Sequence, residues 1–173
     1  MTTAKIVQNE RTAEAQKVTT QPDGPGLRIG KRGEISGIFP LVPGGARLFR
    51  ERLPQFQAEA AYWEGRVGTV HDFRMFLLDN DTKIFFTIAF DGDFKPYLDD
   101  IANKACPWLD SIFLGVADGF KGMKDSTTPE WIGKHIISAE FFYSSYPEAT
   151  RRDVEKALRV QSAFEHLLDE AQS

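Results

Sequence analysis

Two polar side chains in an otherwise apolar segment are the first candidates for chemistry. His71 lies in the run 69–78, where its same-face neighbours in a strand are Phe73 and Met75. An imidazole in such surroundings can act as a general base, as a proton donor to a bound oxygenated intermediate, or as a metal or haem ligand. The structural alternative is a hydrogen bond to a backbone carbonyl near the start of the strand. His71 is therefore a candidate catalytic residue that also has a purely structural interpretation.

Arg74 is the second candidate catalytic residue. Its odd spacing from His71 places the two side chains on opposite faces of the same strand, so they do not form a simple pair. The guanidinium can bind a carboxylate of a ligand in a pocket between the sheet and its helices. Alternatively, it can form an ion pair with Asp72 or Asp91.

Aromatic side chains are the candidates for substrate binding. Trp63, Phe73 and Phe86 can line an apolar cavity, and Tyr97 and Tyr143 can offer hydroxyl groups at its edge. The alternative for each of them is ordinary packing in a hydrophobic core. The pattern therefore favours a small apolar or aromatic molecule as the ligand.

Several other classes of site are excluded by residue types and spacing. Among 173 residues there are one cysteine and three scattered histidines, which cannot form an internal disulfide or a Cys/His zinc site. The Asp91-Gly92-Asp93 sequence lacks further oxygen ligands at calcium-loop spacing, so it predicts a turn and a helix cap. The chain has no phosphate-binding glycine loop and no nucleophile elbow, and we predict no metal and no tightly bound cofactor.

The elements that would position these residues follow from hydrophobic periodicity. Strands are predicted over 34–42, 69–78, 83–91 and 136–143, and the second and third form a hairpin around a polar turn at 79–82. A helix is predicted over 46–66, where Pro54 should kink or split it, and another from Pro96 to Cys106. Residues 108–116 fit either a helix or an edge strand, and 117–128 form a polar loop.

A third helix is predicted at the carboxyl-terminal end of the chain. Thr150 and Asp153 have the spacing of a capping box, with Asp in place of the usual Glu. The expected buried stripe of this helix is Val154, Leu158, Phe164 and Leu168.

Charge is distributed unevenly along the chain. The net charge is −4, but residues 1–33 carry +3 and the remainder −7. We interpret 1–33 as a basic arm of low hydrophobicity that can contact a neighbouring subunit, and 34–173 as the folded domain. Because the arm lacks interleaved arginine and aromatic residues, we do not expect it to bind nucleic acid. The apolar runs are too short to span a bilayer and residues 1–33 hold no signal sequence, which predicts a cytoplasmic protein without membrane contact.

The order of the predicted elements is βαββαβ with an extra helix. That order predicts an α+β, ferredoxin-like sheet with both helices on one face. The strand over 83–91 is apolar on both faces, and eight of the 14 phenylalanines fall in the predicted strands. The face without helices therefore needs a cover, and we expect a second copy to supply it in a homodimer whose two sheets close into a barrel.

The segments 69–74 (TVHDFR) and 90–98 (FDGDFKPYL), with the hairpin between them, resemble the dimeric α+β-barrel superfamily. The end of the last predicted strand at 143–147 (YSSYP), followed by a capped helix, fits the same resemblance, which covers residues 34–170. The group includes cofactor-free antibiotic-biosynthesis monooxygenases, chlorite dismutases and dye-decolourising peroxidases. The haem-binding branches of this group are longer chains, in which a second ferredoxin-like half holds the proximal histidine.

The resemblance implies a monooxygenase-like oxidoreductase that acts on an apolar or aromatic substrate. In that interpretation His71 handles protons and Arg74 orients a polar group of the substrate. The first alternative is a non-catalytic ligand-binding or assembly protein built on the same dimer. The second is a haem-binding, peroxidase-like protein with His71 as the iron ligand.

Overall fold

An antiparallel sheet with helices packed against it gives the chain an α+β architecture. The structure is a computed structural model that describes residues 17–172. The strands in that range are β1 (Val18–Thr20), β2 (Leu27–Ile29), β3 (Arg32–Pro40), β4 (Val70–Leu78), β5 (Lys83–Asp91) and β6 (Ile136–Ile137). The helices are α1 (Gly45–Val67), α2 (Phe94–Lys104), α3 (Cys106–Phe113), α4 (Thr128–His135) and α5 (Arg151–Gln172).

The hairpin of β4 and β5 confirms the strongest prediction from the sequence. Both strands span nine residues and pair antiparallel from Leu78 opposite Lys83 to Val70 opposite Phe90. Three residues of the connection, Asp79, Asn80 and Asp81, have φ between 51° and 66°. Asp and Asn adopt this left-handed region more readily than other non-glycine residues, which explains the polar turn.

The strand order places β3 at the centre of the sheet. The continuous order is β1-β2-β3-β5-β4, and β6 pairs with the same edge of β3 as β2 does. All pairs are antiparallel. The four predicted strands thus lie in the order β4-β5-β3-β6, which is compatible with a ferredoxin-like pattern.

The hydrophobic core fills the space between the sheet and helices α1 to α3. Ile84 and Phe90 of β5 are fully buried there, and Phe39 of β3 is 2% exposed. The indole of Trp108 in α3 stacks on Phe56 of α1, and its N–H donates to the Phe56 carbonyl at 2.9 Å. Burial of this kind stabilises each large side chain by about 1.5–3 kcal/mol, so this face of the sheet fixes the fold.

Helix α1 is continuous through Pro54, so of the two predicted outcomes, a kink or a division into two helices, the division is wrong. Pro54 lies on the exposed side of the helix. Its missing N–H therefore frees a carbonyl that faces solvent. Phe49 and Phe56, on either side of it, are buried in the same core. The helix ends at Gly68, where φ is 74° and the N–H donates to the Glu64 carbonyl.

The last predicted strand is much shorter than the sequence indicates. Of 136–143 only Ile136 and Ile137 pair with β3, opposite Gly37 and Ser36. Continued pairing would bring the following residues to Glu34, but that position already pairs with Leu27 of β2. Strand β2 therefore occupies the edge of β3, and residues 138–150 leave the sheet.

Strands β1 and β2 lie inside the segment predicted to be an arm. They extend the sheet beyond β3, and Ile29 is only 2% exposed. The predicted boundary at residue 34 falls within β3. Residues 1–16, which make up the rest of the predicted arm, lie outside the described residues.

Two segments between α2 and β6 differ in how well the sequence describes them. The segment 108–116, which fitted helix or strand, is mostly helical in α3. Helix α4 was not predicted, and its Trp131 and Ile132 pack against the core. None of the helices in the described part of the chain is long and apolar enough to cross a membrane.

Helix α5 begins as predicted, but its apolar stripe is not buried. Thr150 and Asp153 form the capping box reciprocally, because the Asp153 carboxylate accepts from Thr150 and the Asp153 N–H donates to the Thr150 hydroxyl at 3.2 Å. The predicted stripe of Val154, Leu158, Phe164 and Leu168 is instead between 43% and 59% exposed. The periodicity indicated an amphipathic helix correctly but could not indicate what covers it.

Candidate functional site

The sheet separates the predicted site residues into groups on its two faces. Phe73, Phe86 and Tyr97 lie on the helix side, where they line an apolar cavity of about 80 Å³. Arg74 and Tyr143 lie on the opposite side, called here the open face because no helix within residues 17–172 packs on it. The candidates therefore do not form one site.

The helix-side cavity is too small for an organic substrate. Ligand pockets generally enclose about 300–1,000 Å³, several times the volume of this cavity. Tyr97 is fully packed there, with its ring 4.1 Å from that of Phe90, and burial raises the pKa of its phenol. Trp63 lies on α1 outside the cavity lining, and its indole N–H donates to Glu59 at 3.0 Å.

The open face carries a larger pocket, of about 500 Å³, which lies within the range of ligand sites. Its floor is formed by strands β3, β4 and β5, and its wall by the segment 139–144 that leaves the sheet after β6. The polar side chains in the lining are Arg32, Glu34, Ser36, Asp72, Arg74, Thr87, Tyr143 and Ser144. Phe141 and Phe142 add aromatic surface to the wall. We call this space the open-face pocket.

Glu34 is the most unusual residue of the open-face pocket because it is a carboxylic acid only 5% exposed. One carboxylate oxygen accepts the Leu27 N–H at 3.0 Å, and the other lies 3.3 Å from the Ser36 hydroxyl. The Ser36 hydroxyl is also 3.2 Å from that of Thr87, which links three polar side chains across two strands. Burial raises the pKa of Glu34, and the two hydrogen bonds offset part of that rise.

The other charged side chains of the pocket have partners of opposite sign. The Arg74 guanidinium lies 3.2 Å from the Asp72 carboxylate, which confirms the predicted ion pair with Asp72. Arg32 donates to the Ala149 carbonyl at 2.7 Å, and its Nε lies 4.0 Å from Asp91. No cationic side chain of the described residues forms an ion pair with Glu34.

His71 lies outside the lining of the open-face pocket and of the helix-side cavity. A β-bulge between Val70 and Asp72 leaves it without a partner residue in β5, which breaks the alternation assumed from the sequence. Its Nε2 is 2.7 Å from Oδ1 of Asp91, and both side chains are close to nine-tenths buried. The expected bond to a backbone carbonyl is thus replaced by a bond to a carboxylate.

The other oxygen of Asp91 joins this pair to α5. Oδ2 accepts the backbone N–H of Arg151 at 2.7 Å, and the Arg151 side chain donates to the Glu64 carbonyl at 2.6 Å. His71 and Asp91 therefore hold the start of α5 against the end of the sheet. This arrangement supports a positioning role for His71.

Sequence reasoning missed Glu34, Ser36 and Thr87 as site residues. The available signal was the alternation in β3, where Glu34 and Ser36 share one face while Ile35 and Phe39 occupy the other. Within residues 17–172, no group of three or more His, Cys, Asp or Glu side chains is arranged to hold a metal ion.

Comparison with protein-family models, with curated proteins and with solved structures finds no match to this chain. The α+β architecture is compatible with a ferredoxin-like fold. Membership of the dimeric α+β-barrel superfamily remains a prediction from the resemblance.

Proposed function

We propose that this protein binds a small aromatic molecule in the open-face pocket and that Glu34 holds a hydrogen-bond donor or positive charge of that molecule. The observation that carries the proposal is a buried carboxyl group that pairs with no cationic side chain of residues 17–172, in the floor of a pocket of about 500 Å³. Pockets that combine apolar walls with one titratable group of perturbed pKa are the default candidates for ligand sites.

The ligand class follows from the lining of the pocket. Phe141, Phe142 and Tyr143 offer aromatic surface on which a flat ring can pack. Arg32 and Arg74 are already near carboxylates, so neither is free to attract an anionic group strongly. A donor or an ammonium group on the ligand would stabilise the ionised form of Glu34 and lower its pKa.

A monooxygenase-like oxidation, which the resemblance implies, is the enzymatic form of this proposal. In it Glu34 rather than His71 exchanges a proton with the bound molecule, because Glu34 lines the pocket and burial raises its pKa. The non-catalytic ligand-binding protein differs only in the lack of turnover. Oxygen uptake in the presence of a bound probe distinguishes the two.

The test of binding uses three indoles of different charge: tryptamine, indole and indole-3-acetate. Isothermal titration at neutral pH should give the tightest binding for tryptamine, by about tenfold over indole-3-acetate, equivalent to one ion pair of about 1.4 kcal/mol. Glu34→Gln should remove that preference while indole itself still binds.

Two matched variants locate the binding. Ala89→Trp places a large side chain in the pocket floor and should abolish binding of all three probes, whereas Ala58→Trp, on the exposed side of α1, should leave it unchanged. If wild-type protein binds none of the probes, or if Ala89→Trp binds them as tightly as Ala58→Trp does, the pocket is not the ligand site.

A further inference from the structure

Helix α5 exposes a large apolar surface. Every residue from 156 to 172 is exposed, and six large apolar side chains of the helix are between 43% and 64% exposed: Val154, Leu158, Val160, Phe164, Leu167 and Leu168. Single chains rarely expose a contiguous apolar patch of more than a few hundred Å² unless it contacts a partner.

Four of these side chains share one side of the helix. Spacings of three and four residues connect Val160, Phe164, Leu167 and Leu168, and the opposite side carries Arg159, Ser162, His166 and Glu170. A helix surrounded only by water gains nothing from placing its apolar and polar side chains on separate sides. The apolar side of α5 is therefore built to be covered.

Within residues 17–172, no other element of the chain covers the apolar side of α5. Contacts that fix α5 are made at its first turn, through the Arg151 N–H to Asp91 and the Arg151 side chain to Glu64. Beyond Glu155 no residue of the helix is even partly buried. The remaining four turns or more extend away from the sheet and its helices.

The open face carries the second uncovered apolar surface. Beside the polar pocket floor, Ile38 lies opposite Phe85, and Phe85 lies opposite Phe76, whose ring is 5.7 Å away. Phe76 is 47% exposed and Leu78, on the same side of β4, is 36% exposed. We call these four residues the apolar half of the open face.

We propose that α5 of one copy packs on the apolar half of the open face of a second copy, reciprocally, to form a two-fold dimer. A single chain carries both surfaces, and a two-fold contact uses each of them twice and leaves neither exposed. The occupant is thus a second copy of this chain. The contact differs from the sheet-to-sheet closure expected from the sequence, because the helix provides the cover.

Helix α5 is long enough to cross the apolar half of the open face. A helix of 22 residues is about 33 Å long, whereas a whole strand of nine residues is about 30 Å long and the apolar half takes up only part of that length. A stable interface buries about 800 Å² on each partner, and in a reciprocal contact each copy contributes both its helix and its strand patch to that area. The polar half of the face, with the open-face pocket, stays accessible beside the docked helix.

Sedimentation velocity over a range of micromolar concentrations tests the association. The apparent molecular mass of the wild-type protein should be twice that of one chain. Phe164→Asp should weaken the dimer at least about thirtyfold, whereas Ser162→Asp adds the same charge on the polar side of α5 and should leave the dimer intact. Circular dichroism of both variants verifies that the helix still forms. A wild-type monomer at every concentration, or equal weakening by both variants, would overturn the proposal.

Disulfide trapping tests the geometry of the contact. In a Cys106→Ala background, Phe164→Cys protein is mixed with Phe76→Cys protein and oxidised. The proposal expects a mixed dimer that joins helix to sheet. Cross-linking of the Phe164→Cys variant only to itself would instead indicate that two α5 helices pack together, and would contradict the proposal. Neither experiment depends on ligand binding, so failure here leaves the proposed function standing.

Discussion

The two faces of the sheet show how one set of strands serves two purposes. On the helix side, Ile84 and Phe90 of β5 are fully buried, and the apolar cavity beside Phe73 and Phe86 measures about 80 Å³. On the open face, Thr87 and Ala89 of the same strand line a pocket of about 500 Å³. Alternate residues of one strand thus experience opposite surroundings.

The difference teaches where the fold and where the function are encoded. The helix side of the sheet favours apolar side chains, because an unpaired polar group there would lose its hydrogen bonds to water. The open face holds Glu34, Ser36 and the Asp72–Arg74 pair beside exposed aromatic residues. Substitutions on the helix side should therefore affect stability, and substitutions on the open face should affect binding and assembly.

The largest expected effect comes from truncating a buried ring. Phe90→Ala should lower the free energy of unfolding by about 3–5 kcal/mol, because Phe90 is fully buried and stacks on Tyr97. Phe76→Ala, the matched change on the open face, should cost about 1 kcal/mol or less, since Phe76 is half exposed. Urea denaturation at low protein concentration measures both. Equal losses would mean that the open face is as much a core as the helix side.

The second prediction concerns the pair that joins the sheet to α5. His71→Ala should lower the free energy of unfolding by about 1–3 kcal/mol, because it leaves Asp91 without one of its buried partners. Among the backbone amides, those in the first turn of α5 should show the largest increase in hydrogen-exchange rate. The control is His166→Ala, at a side chain that is 75% exposed, where we expect less than about 0.5 kcal/mol.

The same His71→Ala protein separates a catalytic from a positioning role. Probe binding in the open-face pocket should change less than about threefold, because His71 is not in its lining. A complete loss of binding or turnover with unchanged stability would support the catalytic role predicted for His71 from the sequence.

Local signals explain which parts of the fold the sequence could predict. Alternation over nine residues and a polar turn define the β4–β5 hairpin, and the Thr150–Asp153 capping box defines the start of α5. Each of these features depends on residues close together in the chain. Strands β1 and β2 have three residues each, too few for any periodic pattern to be recognised.

The candidate site was harder to predict because it depends on a competition between distant segments. Residues 138–143 have good strand propensity, but β2 already pairs with the edge of β3 that they would occupy. Their displacement builds the wall of the open-face pocket and brings Tyr143 there. Glu34 lay within a predicted strand, but its importance appears only when the wall and the neighbouring strands are in place.

The third prediction uses pH to compare a buried with an exposed carboxyl group. Burial raises the pKa of Glu34 above its unfolded value, so the ionised group costs stability as pH rises from the unfolded pKa through the folded one. Glu34→Gln should therefore gain stability relative to wild type over that range, by less than the loss from His71→Ala.

Glu130 should show the opposite dependence of stability on pH. Its hydrogen bond to Lys134 lowers its pKa, so it contributes stability above its unfolded pKa that is lost as pH falls through the folded one. Glu130→Gln should thus lose stability relative to wild type at neutral pH and recover the difference in acid. Urea midpoints measured between pH 4 and 8 report both, and parallel curves for the two variants would contradict the assignment of Glu34 as the buried acid.

The smallest effect on stability is expected at the rim of the pocket, where Arg74 and Asp72 form an ion pair with side chains that are 61% and 55% exposed. Such pairs contribute about 0.5 kcal/mol, so Arg74→Ala and Asp72→Ala should leave urea midpoints nearly unchanged. Their effects on binding should have opposite signs. Arg74→Ala leaves Asp72 unpaired and should favour tryptamine over indole-3-acetate by a further few-fold, whereas Asp72→Ala should reduce that preference. If both variants alter stability but neither alters the preference, the rim belongs to the scaffold rather than to the binding site.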